Sequence, residues 1–261
     1  MSHMRTRLIR LGAVAVASAA GLGLAGGTAG GIAGAAASAS SGGSGNDATP
    51  ATLSGIQAKA STDVTKRVNA LNAAIAKVNA ATGLGSGQAT LASLLGADIA
   101  PLQQLNTKIQ GDTTVQQARA DYGTIFSGYR VYLLVLPAAR IAGDADRITN
   151  TVLPRLTSAA SKAQARENAN NAAQLQPLLT DLNAQISAAA NATNGLAGTV
   201  LGYTPTELNG NHELLSPARS DDQTANAAIK KGRQDVAEIV QVLRPGLAGR
   251  AKAGTVTTTT G

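Results

Sequence analysis

From Leu53 to Leu243 the apolar residues of this chain return at intervals of three and four, and no stretch alternates apolar with polar. Successive side chains turn by about 100° in a helix and about 180° in a strand, so this spacing builds an apolar stripe only on helices. A helix striped on one side has to cover that stripe with another element. The expected fold class is therefore all-α, as a four- or five-helix bundle or as elongated antiparallel helical hairpins. Side-chain size narrows the choice of packing. Hydrophobic residues make up 44% of the 261, yet there are only four Tyr, one Phe and no Trp. Ala, Leu, Val and Ile let helices approach closely and do not wall a ligand pocket with rings. The chain has no Cys, which removes disulfides, thiolate metal sites and Cys nucleophiles.

Along the chain, Leu53, Ile56, Ala60, Val64, Val68, Leu71, Ile75 and Val78 mark a first helix that ends at Gly83-Leu-Gly-Ser-Gly87. A second helix is expected from about Gln88 to Gln110, kinked or restarted where Asp98 precedes Pro101. Gly111 stops it, and Asp112 is the expected N-cap of a third region from about Thr113 to Arg166. In that region Tyr122, Phe126, Tyr129, Leu133, Leu136 and Arg140 follow a coiled-coil-like spacing that should face a partner. Pro137 and Pro154 should kink or divide it. A fourth helix covers roughly Glu167 to Asn194, with Pro177 inside. Gly195 to Ser216 reads as a long ordered loop. The last helix is expected to start with Ser216 as cap and Pro217 at its first position, and to run to Pro245-Gly246.

The N-terminus has the layout of a secretory signal peptide. Arg5, Arg7 and Arg10 form a basic stretch, and no charge follows from Leu11 until Asp47. Ala37 and Ala39 suit the −3 and −1 positions of a cleavage site. The expected organisation is a signal peptide over 1–39, a flexible linker over 40–50, a helical domain over 51–248 and a disordered tail over 249–261. The segment preceding the linker is interrupted by many Gly residues, so removal is expected rather than retention as an anchor, and no transmembrane segment is expected in the mature chain. Three of the 22 Lys and Arg lie in the signal and no Asp or Glu does, leaving 19 basic against 15 acidic residues, a surplus of four. Those basic residues are scattered, which does not match the concentrated basic face of a nucleic-acid binder.

Functional chemistry is sparse. Four of the five aromatic residues fall within Asp121–Arg140, which also holds nine consecutive uncharged residues, Val131 to Ala139. A helix segment apolar all round belongs in a core, but the same segment offers an interaction surface made of Tyr122, Phe126, Tyr129, Arg130, Tyr132 and Arg140. Arg130, Arg140, Asp144, Asp146 and Arg147 are spaced as local ion pairs on helices. His212-Glu213 is too small a set for a zinc site, which takes three or four ligands. No Gly-x-Ser-x-Gly elbow occurs, and Gly83-Leu-Gly-Ser-Gly87 has neither a preceding strand nor the Gly-Lys-Ser/Thr of a phosphate loop. No catalytic, metal or cofactor residues are assigned, and the chain is not expected to be an enzyme.

Three segments carry a resemblance: the Leu71-Asn-x-x-Ile75 helix, Tyr129-Arg-Val-Tyr-x-Leu-Val-Leu-Pro137, and Gly202-Tyr-Thr-Pro205 with Leu214-Leu-Ser-Pro-Ala-Arg219. Together they resemble uncharacterised secreted helical proteins of high-GC Gram-positive bacteria, over most of residues 53–245. The resemblance implies export and helical structure and carries no activity. The expected role is a non-enzymatic interaction protein, secreted or associated with the cell wall, whose partner is an envelope or extracellular protein. The alternative is a lipid- or small-ligand-binding helical bundle.

Overall fold

A computed structural model describes residues 52–244. The expected signal peptide, linker and tail, and the Pro245-Gly246 end of the last helix, lie outside the described residues. Within them the protein is all-helical, with no strand.

The first helix, α1 (Leu53–Ala80), starts where the Thr52 side chain accepts the Gly55 amide at 3.2 Å. Its expected stripe packs as read: Ile56, Ala60, Val64, Val68, Leu71 and Val78 are buried. The same face also buries two charged residues, Asp63 and Arg67. At its end, Gly83 and Gly85 take φ of +90° and +60°, the left-handed region open to glycine. The chain then reverses into α2 (Gly87–Ala97) and α3 (Ile99–Gly111). The restart falls at Asp98, because Pro101 has no N–H to give the Ala97 carbonyl; Leu102 donates instead to the Asp98 carbonyl at 3.0 Å.

The next helix, α4 (Val115–Ser127), corrects the expected cap. Thr114, not Asp112, is the cap: its side chain accepts the Gln117 amide at 3.2 Å. Asp112 closes α3 instead, its amide donating to the Ile109 carbonyl at 3.3 Å. After α4 the chain breaks at Gly128–Arg130, with Arg130 at φ +46°. It resumes as a π turn over Val131–Val135, then α5 (Leu136–Arg147), a second π turn over Ile148–Val152, and α6 (Leu153–Gln164). Each π turn sits just before a Leu-Pro pair. A proline ring crowds the carbonyl four residues back and offers no N–H, and the backbone widens to bonds spanning five residues. Thus Leu136 donates to the Val131 carbonyl and Leu153 to that of Ile148. The prolines bulge this run without ending it.

The fourth expected helix begins later than its sequence pattern suggests. Asn168, Asn170 and Asn171 hold a turn: the Asn171 side chain accepts the Asn168 amide at 2.8 Å, and that of Asn168 accepts the Asn170 amide at 2.9 Å. Short amide side chains compete with helix bonding in this way, so α7 spans Ala172–Thr193. The long loop expected over 195–216 is instead two short helices, α8 (Leu196–Leu201) and α9 (Pro205–Gly210). The second has a full capping box: Thr204 accepts the Glu207 amide at 3.3 Å, and Glu207 accepts the Thr204 amide at 2.7 Å. The final helix, α10 (Ser216–Val242), has Ser216 inside its first turn and Leu215 at the cap position, so the expected serine cap is not formed.

Two apolar clusters form the core. The first joins α1 to α5 with α8, and includes the fully buried Ile56, Leu71, Leu91, Leu95, Leu102, Ile125 and Ile141. The second lies among the 148–152 turn, α6, α7 and α10, around Ile148, Leu175 and Leu182. The helical run from Val131 to Gln164 supplies both. The count of helices exceeds the four or five expected because the Pro, Gly and Asn sites subdivide them. By length and composition the stretch Val115–Gln164 could cross a bilayer, with a window of mean hydropathy 1.3, of which 44% is buried inside this fold.

Candidate interaction surface

The aromatic segment is arranged around a residue from α1. Arg67 lies on the buried face of that helix, and its Nη1 donates to the Asp63 backbone carbonyl at 2.9 Å. The Asp63 carboxylate accepts the Tyr122 hydroxyl at 2.7 Å and lies 3.8 Å from the Lys59 ammonium. Tyr122 in turn meets Phe126 edge to face, with ring centroids 5.1 Å apart and planes at 77°. The Arg67 guanidinium stands 4.5 Å from the Phe126 centroid and 5.3 Å from that of Tyr132. A planar, weakly hydrated cation between two ring faces is attracted by both quadrupoles.

The outer side of this cluster is open. Phe126 and Tyr132 are each 39% exposed and the adjoining Leu133 is 57% exposed. These are the three exposed large hydrophobic side chains among the described residues. Isolated apolar residues on a surface are ordinary, whereas a contiguous group marks a contact site. Partial burial holds the Tyr132 hydroxyl above its usual pKa range, with the Arg67 charge acting the other way, so Tyr132 stays neutral at physiological pH. Two partly exposed rings thus lie over a buried cation, and the exposed Leu133 follows Tyr132 in the chain.

The six residues expected to share a surface do not do so. Tyr122 is buried, and Phe126 and Tyr132 flank Arg67. Tyr129 is half-buried elsewhere, its hydroxyl raised in pKa by burial and by the charge of Asp98. Arg130 turns to α9: its Nε donates to Asn209 Oδ1 at 2.6 Å, while Asn209 donates to the Ser127 carbonyl at 3.0 Å and so satisfies the end of α4. Arg140 bridges elements, 3.8 Å from Asp144 and 3.5 Å from Asp222 on α10. Arg147 also reaches Asp144, at 3.5 Å. The even four-three spacing fails to give one face because the left-handed Arg130 and the π turn rotate everything after them. Val131, Leu134, Ala138 and Ile141 are the inward positions there, in place of Leu133, Leu136 and Arg140.

Arg67 and Asp63 were not singled out from sequence. The only local signal was an acid and a base four residues apart on the apolar side of a helix, where the usual expectation is solvent-facing charge. The remaining expected features have structural surroundings. The Gly83–Gly87 turn is held by its neighbours, with the Thr151 hydroxyl donating to the Gly83 carbonyl at 3.2 Å and Asn150 to that of Leu84 at 3.3 Å. His212 and Glu213 are exposed. Among the described residues no group of three or more His, Asp or Glu is placed to hold a metal ion. Comparison with protein-family models, with curated proteins and with solved structures finds no match.

Proposed function

We propose that this chain is an exported, non-enzymatic interaction protein of the cell envelope or extracellular space, built as a helical bundle, and that it engages a protein partner through the Phe126–Tyr132–Leu133 patch. The observation that carries this reading is the placing of two exposed aromatic side chains, Phe126 and Tyr132, over one buried arginine, with the exposed Leu133 next to Tyr132 in the chain. Aromatic side chains with few rotatable bonds on a rigid support lose little entropy on binding, which suits them to anchor an interface. The signal-like layout of residues 1–39 supports export.

A second reading, small-ligand binding, is favoured by a cleft of about 180 Å³ lined by Leu134 and Val135 of the same segment.

Co-sedimentation of the full chain with purified cell walls, and separately with liposomes, tests the proposal, together with expression in a high-GC Gram-positive host. Export predicts a form in the medium beginning at Ser40. Wall pelleting that survives moderate salt and is lost in Tyr132→Ser/Leu133→Asp supports docking at the patch. Liposome pelleting lost in the same variant moves the assignment to a lipid surface. A chain that stays soluble with both, or a variant that pellets as well as the parent, sinks the patch as a docking site.

A further inference from the structure

The cleft on the inner side of the aromatic segment lies where α2, the 131–135 turn and α8 converge. Its walls are apolar: Leu94 from α2, Leu134 and Val135 from the turn, and Val200 and Leu201 from α8. Tyr203 supplies a ring. One charged residue is in the lining, Asp98, at the joint between α2 and α3. Asp98 is half-buried, and among the described residues it has no ion pair and no hydrogen bond to its side chain. Asp63, Asp144 and Asp222 are matched, with Tyr122, with two arginines, and with Arg140 and Asn226 respectively; Asp235, buried on α10, also leaves an oxygen without a partner, but it does not line this cleft. A carboxylate set in an apolar wall without a partner loses hydration and gains nothing inside the protein.

From this geometry we infer that the cleft is a binding site for a small organic monocation, an ammonium on a compact apolar body, with Asp98 as its counter-ion. The inference rests on the small-ligand reading and adds the ligand's charge and size. A cavity of about 150 Å³ accommodates benzene, so about 180 Å³ takes a body of one ring or a short alkyl chain. Binding would restore to Asp98 the partner it lacks, as a charge-assisted hydrogen bond, and Tyr203 adds a π face to the same lining. Burial also holds the Asp98 carboxyl above its ordinary range, a desolvation cost that a bound cation would offset.

The probes are benzylammonium, benzyl alcohol and benzoate, which share a ring and differ in charge. Methyl resonances of Leu94, Leu134, Val200 and Leu201 are followed by NMR in the full chain as each is titrated. The site as inferred gives saturable shifts with benzylammonium, at least tenfold weaker binding of benzyl alcohol, and no shifts with benzoate. Asp98→Asn should weaken benzylammonium at least tenfold and leave benzyl alcohol within twofold. Ala97→Leu, at an exposed position on the rim, should block both without harming the fold. If benzyl alcohol binds as well as benzylammonium and Asp98→Asn changes nothing, the cation inference fails while small-ligand binding stands. If none of the three shifts these methyls, both fail.

Discussion

The Tyr122 hydroxyl donates to Asp63 Oδ2 at 2.7 Å across 59 residues of chain, and both side chains are buried. This bond fastens α4 to α1 and holds Tyr122 edge to face against Phe126, one of the two rings over Arg67. Tyr122→Phe keeps the ring and removes the donor. An acceptor left short of a donor in a buried site costs about 1–3 kcal/mol. Urea denaturation should show that loss with an unchanged slope; a variant as stable as the parent would mean that the contact contributes nothing net.

Arg67→Met separates the charge of that arginine from its packing, since Met retains an apolar stem of similar length. Two ring contacts and one bond to a backbone carbonyl are lost. The expected cost is about 1–2 kcal/mol, from cation–π terms of roughly 0.5–1 kcal/mol each. The Phe126 and Tyr132 ring resonances should also move, because a cation no longer lies over them. Unmoved resonances would show that the rings do not depend on Arg67 for their placement.

Gly83→Ala and Gly123→Ala should have opposite signs. At Gly83 the backbone is at φ +90°, and an added Cβ would stand 2.1 Å from the Thr151 hydroxyl. Thr151 would have to rotate and give up its bond to the Gly83 carbonyl, so backbone strain and a lost hydrogen bond together cost about 2–4 kcal/mol. Gly123 is exposed within α4 and an added Cβ meets nothing within 4 Å. There Ala should stabilise by about 0.5–1 kcal/mol, because glycine loses more backbone freedom in a helix. Thermal melts of the two variants decide the matter directly.

Acidification from neutrality should not weaken the fold until the pH drops below the ordinary carboxylate range. Burial raises the pKa of Asp98, Asp146, Asp222 and Asp235, assisted at Asp222 by Asp144 and at Asp235 by Asp181. An acid with a raised folded pKa binds its proton more tightly folded than unfolded. Stability therefore rises as pH falls through the folded value, and the gain is complete below the unfolded value of about 4. Asp181 and Glu207 are held low, by the Lys231 ammonium and by the Thr204 amide respectively. Their contribution is present above the unfolded value and is lost only as pH falls through the depressed one. The melting temperature at pH 5 should accordingly match or exceed that at pH 7, with a smaller pH dependence in Asp98→Asn. A steady fall between pH 7 and 5 would contradict these assignments.

The helical class, the inward face of α1 and the restart at Asp98 follow from the sequence alone. Each depends on interactions within about four residues, between stripe positions or between a proline and the carbonyl behind it. The capping box of α9 was equally local: Thr204-Pro-Thr-Glu207 spells it out, though the surrounding glycines suggested a loop. Other parts were beyond local reading. The Gln57 amide donates to the Ile109, Gln110 and Asp112 carbonyls at 3.1–3.2 Å, and that of Gln88 to Val78 and Asn79 at 2.9–3.0 Å. Helix ends here are satisfied by side chains from other helices, which no cap motif announces. The same holds for the candidate surface. A left-handed turn at Arg130 and a π turn before Pro137 rotate the later helix, exposing Leu133 and sending Arg140 to Asp222. The tertiary structure alone brings Arg67 under Phe126 and Tyr132, because the partners of a buried charge are set by how helices cross, whereas periodicity specifies only which side of a helix turns inward.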